Sequence, residues 1–175
     1  MVAGPDNPLR MRALATYRDG EKARSTAFRI TTLRWFDLHE FRPYYATANI
    51  SNSECSNESI AGNAYVGWFG YGPRTTAWES RHTPGRHCTA FRGVAGVIDR
   101  SDDGSSAEFK IVADEMTVVY QSPVLTPGSA YPFQVSLARP YRIAIQARMT
   151  SVALASPAIG APQLLCDYAT GASPS

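Results

Sequence analysis

Phe91-Arg92-Gly93-Val94-Ala95-Gly96-Val97-Ile98-Asp99, then a polar link from Arg100 to Ser106, then Ala107-Glu108-Phe109-Lys110-Ile111-Val112, is the stretch whose reading decides the fold. In its second half Ala107, Phe109 and Ile111 fall on one face and Glu108 and Lys110 on the other, the period of two that marks a half-buried strand. The acidic, polar link reads as a hairpin turn. A second unit of the same kind follows, with Met116 to Tyr120, a loop from Gln121 to Ser129, and Tyr131 to Leu137. No segment between Phe91 and Leu165 reads as a helix. Short alternating strands at close spacing predict an all-β sandwich or barrel.

The rest of the chain extends this reading. Met1 to Pro8 is a polar, proline-interrupted arm. Leu9, Met11, Ala13, Ala15 and Tyr17 alternate as a strand, Asp19-Gly20 is a two-residue turn signal, and a second strand runs from Ala23 to Trp35. Phe28 and Ile30 differ in parity from Leu33 and Trp35, which predicts a bulge or bend around Thr31-Thr32. A helix over Leu9 to Tyr17 is the weaker alternative. Arg42-Pro43 makes a turn, Tyr44 to Ile50 is extended, and the polar run Ser51 to Ser59 reads as a surface loop. Ala64 to Pro73 passes from a strand into a glycine-rich aromatic loop. The expected organisation is an arm and β-hairpin extension over 1–43, a sandwich over 44–168 and a flexible tail over 169–175.

The order of residues in Phe91…Asp99, Ala107 to Glu115 and Val118 to Gly128, continuing through Phe133-Gln134-Val135, Tyr141 to Ile145 and Gly160 to Leu164, resembles the NPCBM family of carbohydrate-binding modules. The resemblance implies a galactose-binding-like jelly roll of the kind found beside glycoside hydrolases. Near the last strand, where the family usually carries a Trp and an Asp, this chain has Ile159 and Ala161. That exchange removes a stacking surface and a hydrogen-bond acceptor.

The 175 residues suffice for one domain with a proper core. Net charge is +2, with basic residues spread from Arg10 to Arg148 and no block of neighbours, so the chain carries no nucleic-acid footprint. No apolar run is long enough to insert in a membrane. Met1 to Met11 lacks the apolar core of a signal peptide. Asn49-Ile50-Ser51 and Asn57-Glu58-Ser59 match the glycosylation pattern by chance in that setting. Of Cys55, Cys88 and Cys166, one is necessarily unpaired. Cys88 and Cys166 read first as small core hydrophobes, with a bridge between them possible where conditions are oxidising.

The most ligand-like region runs from Ala64 to His87. Trp68, Tyr71 and Trp78 offer faces for the C–H side of a pyranose, and Arg74, Glu79, Arg81 and His82 offer hydrogen bonds to its hydroxyls. The alternative is that Trp68 packs inside and Trp78 anchors a loop. Glu79, His82, His87 and Cys88 match no regular zinc spacing. Asp99, Asp102 and Asp103 suit a turn better than calcium. No nucleophile elbow, P-loop or dinucleotide fingerprint is present, so neither catalysis nor a cofactor is expected. The expected function is a non-catalytic module that binds a surface glycan or polysaccharide. It would be joined to neighbouring subunits through its N-terminal arm in a virion capsid or tail, and would reach the outside by lysis. A purely structural assembly protein, favoured by Ile159 and Ala161, and an accessory domain of a secreted glycoside hydrolase are the alternatives.

Overall fold

The computed structural model describes residues 9–72 and 75–167 and divides them into two compact units. The first comprises residues 9–34 with Asp167; the second comprises residues 35–166.

In the first unit, β1 (Leu9–Met11) pairs antiparallel with β4 (Phe28–Ile30), and β2 (Leu14–Thr16) pairs with β3 (Lys22–Arg24). The turn between β2 and β3 closes at Asp19-Gly20. Gly20 takes a positive φ of 89°, and the Asp19 carboxylate accepts from the Glu21 N–H. The hairpin is therefore present and the alternative helix is not. The long second strand expected from Ala23 to Trp35 is broken instead: Ser25 to Ala27 and Thr31 to Leu33 lie outside strands. The proposed bulge at Thr31-Thr32 is a full interruption. The expected arm, Met1 to Pro8, and the expected tail lie outside the described residues.

The second unit is a sandwich of two antiparallel sheets. It starts at Trp35, ahead of residue 44 where the sequence reading begins it, because Phe36, Leu38 and Phe41 bury completely or nearly so in its core. Phe36 belongs to β5 (Arg34–Asp37) and Leu38 to the 3-10 turn Leu38–Glu40 that follows it, while Phe41 caps that turn. The remaining strands are β6 (Tyr45–Ala46), β7 (Ile50–Ile60), β8 (Asn63–Gly70), β9 (Ala77–His82), β10 (Cys88–Val97), β11 (Ala107–Ala113), β12 (Thr117–Gln121), β13 (Ala130–Ser136), β14 (Ile143–Met149) and β15 (Pro157–Cys166). The first sheet has the order β13-β10-β15-β8-β7, with β5 added against β15; the second has β12-β11-β14-β9-β6.

This order corrects both hairpins read from the deciding stretch. β10 lies in the first sheet and β11 in the second, and β12 and β13 are likewise in opposite sheets. The polar links therefore carry the chain across the sandwich. The tight hairpins are elsewhere. β7 and β8 join through Ala61 and Gly62, and β11 and β12 through Asp114 and Glu115, each pair with positive φ at both positions as a type I′ turn requires. Asp99 secures the first of these turns by accepting from the Ala61 and Gly62 N–H groups and the Ser59 hydroxyl. The Ser59 bond, with the backbone donors, holds its pKa below the ordinary value against the effect of burial. Its role is the turn reading given to the acids around it. The segment expected as a loop, Ser51 to Ser59, is strand β7, paired with β8 on either side of an irregularity between Asn52 and Asn57.

Alternating residues from both sheets fill the core. Trp68 on β8 meets Phe109 on β11 edge to face, with ring centroids 5.8 Å apart. Its indole N–H donates to the Ser80 hydroxyl on β9 at 2.8 Å. Ser80 then faces His82 Nε2 at 3.1 Å, and His82 Nδ1 lies 2.7 Å from the Phe41 carbonyl. Since a carbonyl only accepts, Nδ1 carries the proton, Nε2 accepts from Ser80, and the chain of donors runs one way. Trp78 on β9 returns the link by donating to the Tyr71 carbonyl at 3.0 Å.

Cys88 and Cys166 face each other in register at the ends of β10 and β15 and form a disulfide, which replaces the reading of both as free core residues. Cys55 is exposed and free.

Two stability tests follow from these contacts. The disulfide closes a separation of 78 residues, for which the loop-entropy relation gives about 4.5 kcal/mol. Replacing both cysteines by Ser should lower the melting temperature by roughly 10 °C, and an unchanged melting curve would show that the bridge contributes nothing. Burial pushes the His82 pKa down to about 4, against the pull of the Phe41 carbonyl. The unfolded chain then binds a proton between its ordinary pKa and 4 while the folded chain does not. Stability is complete above about pH 6.5 and falls towards pH 4 by up to about 3 kcal/mol. Melting temperatures across this window should fall less steeply in His82→Gln than in the parent.

Candidate functional site

The period of two along β9 separates the residues that the sequence reading grouped together. Trp78, Ser80 and His82 point into the core, where Trp68 also lies, and all four are buried. Trp68, Trp78 and His82 thus serve as interior packing and hydrogen-bonding groups. Arg74 lies outside the described residues. Tyr71 sits at one end of the sandwich, partly buried, where its hydroxyl donates to Glu58 at 3.1 Å and the Arg100 guanidinium stands 5.7 Å from its ring centroid. Burial first, and the Glu58 carboxylate second, push its pKa up to about 12. Arg100 forks onto Glu58 through Nε and Nη2, so the carboxylate is already occupied.

Glu79 and Arg81 have the opposite parity and lie on the outer face of the second sheet. Arg81 donates from Nε and Nη2 to the two Glu79 oxygens at 3.0 and 3.1 Å, and Gln146 on β14 donates to Glu79 Oε1 at 2.9 Å. Partial burial raises the Glu79 pKa, but these donors outweigh it and hold the carboxylate below its ordinary value. The Arg81 guanidinium also lies over the ring of Tyr45, 5.0 Å from its centroid.

Strand register turns these contacts into an ordered surface. Thr47 lies beside Glu79 and accepts from its N–H; Glu79 is opposite Gln146, Gln146 opposite Lys110, and Lys110 opposite Gln121. With strands about 4.8 Å apart, this polar row crosses the sheet for about 19 Å. In the next row Arg148 lies between Ala77 and Glu108 and donates to the Glu108 carboxylate. A depression of about 410 Å³ opens over both rows, lined by Thr47, Ala77, Glu79, Glu108, Lys110 and Gln146 among others. Sequence reasoning missed Gln146, Lys110, Glu108 and Arg148. The alternation Ala77-Trp78-Glu79-Ser80-Arg81-His82 carried the signal that Glu79 and Arg81 part from Trp78 and His82. Only the pairing of β9 with β14 and β11 could supply their neighbours. Carboxylates, amides and cations held in fixed rows suit a ligand rich in hydroxyls.

The family's usual Trp and Asp positions also acquire a physical meaning. Ile159 is fully buried, so the exchange at this position does not strip an exposed stacking surface. Ala161 occupies a bulge with a positive φ of 45°, a conformation that Asp tolerates better than Ala. Among the described residues no group of three or more His, Cys, Asp or Glu side chains is placed to hold a metal ion. No helix among them is long and apolar enough to cross a membrane.

Residues 77–150, which run from β9 to just past β14, match the NPCBM/NEW2 domain. No curated protein sequence matches the chain. Among solved structures, the CBM51-2 and INT domains of Clostridium perfringens ZmpB superpose with a TM-score of 0.61 at 12% identity, covering 90% of this chain and 37% of that one. The tandem CBM51 modules of Sp3GH98, the family 98 glycoside hydrolase of Streptococcus pneumoniae SP3-BS71, give 0.60 at 13% identity, covering 75% and 47%. CBM51 from Clostridium perfringens GH95, in complex with methyl-galactose, gives 0.55 at 14% identity, covering 75% and 99%. The chain spans less than half the length of the first two. The shared property is the fold: the galactose-binding-like β-sandwich of CBM51 carbohydrate-binding modules.

Proposed function

We propose that the chain is a non-catalytic carbohydrate-binding module that takes a glycan on the outer face of its second sheet. The observation that carries this reading is the cross-strand row Thr47, Glu79, Gln146, Lys110 and Gln121, with Arg81 and Arg148 beside it. It sets donors and acceptors along a line longer than one pyranose ring. The CBM51 neighbours support the ligand class, since solved structures of such modules hold GlcNAc and methyl-galactose. The Cys88–Cys166 disulfide supports work outside a reducing compartment.

Attachment to a larger protein or assembly is part of the same proposal. Two of the solved structures named above are CBM51 modules described with an INT domain or as part of a glycoside hydrolase, which supports the accessory-domain alternative. The hairpin unit suits an attachment element. Leu14, Tyr17 and Phe28 are exposed on it, and a two-stranded ribbon is marginal in isolation. A chain starting at Trp35 should retain the cooperative melting of the sandwich; loss of that transition would make the hairpin part of the folding unit.

Binding is tested by glycan array, followed by calorimetry with methyl-galactose, N-acetylglucosamine and the best array ligand. Gln146→Ala and Glu79→Ala should each weaken the interaction by about 10- to 100-fold, the loss expected for hydrogen bonds that involve a charged partner, with little change in melting temperature. Silence across the array would favour a purely structural protein. Binding that survives both substitutions would move the site off this face.

A further inference from the structure

We propose a second ligand site on the first sheet, built around Arg92 and Trp35, that takes the carboxylate of an acidic sugar. It begins with a bulge. Across β10 and β15, Arg92 is opposite Gln163 and Val94 opposite Gly160, so Ala161 and Pro162 together face Gly93. Such an extra residue re-aims the side chains beside it, and here it brings Gln163 onto Arg92. Arg92 donates from Nε at 2.9 Å and from Nη2 at 2.6 Å to the single oxygen Gln163 Oε1. Gln163 in turn donates from Nε2 to Asp37 Oδ1 at 2.7 Å, which fixes the amide with its oxygen towards the guanidinium. The Trp35 ring backs the same guanidinium, 4.0 Å from its centroid.

Arg92 is therefore held in place without being neutralised. Among the described residues its polar partner is a neutral amide, and two of its five N–H groups are used. A depression of about 500 Å³ opens beside it, lined by Arg92, Gly93, Val94, Pro132, Gln134 and Gln163 among others, and Arg92 is the one ionisable residue of that lining. Register again sets a row: Gln134 on β13, Arg92 on β10 and Gln163 on β15 lie opposite one another. The paired Val94 and Pro132 add apolar surface next to it. A fixed guanidinium with open donors matches a carboxylate, the flanking amides match hydroxyls, and the apolar pair matches a sugar's C–H face. A uronic or sialic acid residue supplies all three.

Trp35 makes the site directly observable. Trp68 and Trp78 are fully buried while Trp35 is only partly so, hence collisional quenching by acrylamide reports chiefly on Trp35. The full chain is titrated with glucuronate and galacturonate, with galactose as the neutral control and acetate as the bare carboxylate, all at one ionic strength. The uronates should shield Trp35 and shift its emission, while galactose and acetate should do so at least tenfold less well. Arg92→Gln should weaken the uronate response about tenfold or more. Arg92→Lys, which keeps the charge but loses the fork, should weaken it as well, with the melting temperature of each variant recorded as a folding control. Equal responses to galactose and uronate, equal responses to acetate and uronate, or a full response in a folded Arg92→Gln chain would each overturn the proposal. Glu79→Ala, on the other sheet, should leave the uronate response intact, so failure of the first glycan site and failure of this one are distinguishable.

Discussion

Two indoles hold the sandwich together. Trp68 reaches from β8 in the first sheet to Ser80 on β9 in the second, and Trp78 reaches back from β9 to the Tyr71 carbonyl just past β8. A buried indole N–H without a partner is costly, so each ring fixes the distance and the register of the sheet it reaches towards. The backbone is shaped to allow this: a Cβ on Gly70 would come within 2.9 Å of the Trp78 ring. Gly67 has a similar role on the other side of β8, where a Cβ would run into the Ile159 carbonyl. Gly67 and Gly70, which read as part of a glycine-rich loop, are close-packing positions in β8.

The consequences reach the surface through strand parity alone. Once Trp78, Ser80 and His82 are committed to the core, Glu79 and Arg81 are committed to the outside, and antiparallel pairing then sets Gln146 and Lys110 beside them. The polar row is thus the outward shadow of the buried one. The same logic acts on the first sheet, where the bulge at Ala161 and Pro162 turns Gln163 onto Arg92. Both faces present side chains that are already hydrogen-bonded to one another, so a ligand meets groups whose conformational freedom has been lost beforehand.

Much of the fold was legible because period-two alternation is local. Ala107, Phe109 and Ile111 announce a buried face whatever they pack against, and the family resemblance supplied the architecture. Pairing was less legible. Nothing in Arg100 to Ser106 distinguishes a link that folds back from one that crosses to the opposite sheet, because the difference lies in partners such as Gln146, 36 positions from Lys110. Ser51 to Ser59 reads as a loop because it is polar, yet β7, a strand at the end of a sheet, needs little apolar surface. The candidate site is legible in part: the sequence offers Glu79 and Arg81, but in company with the inward-facing Trp68, Trp78 and His82. Composition identifies residues fit for a sugar, while only parity and pairing say which of them reach solvent.

By itself the sequence determined an all-β sandwich preceded by a hairpin turning at Asp19-Gly20, since alternation and turn chemistry act over a few residues. The tertiary structure decided the rest. Cys88 and Cys166 became a disulfide because β10 and β15 lie side by side with their ends in register, and His82 became a neutral core group because burial disfavours its charge. The two outward rows exist only where strands distant in sequence are hydrogen-bonded together. Those pairings are set by which buried side chains fit between two sheets, a global condition that no short stretch of the chain contains.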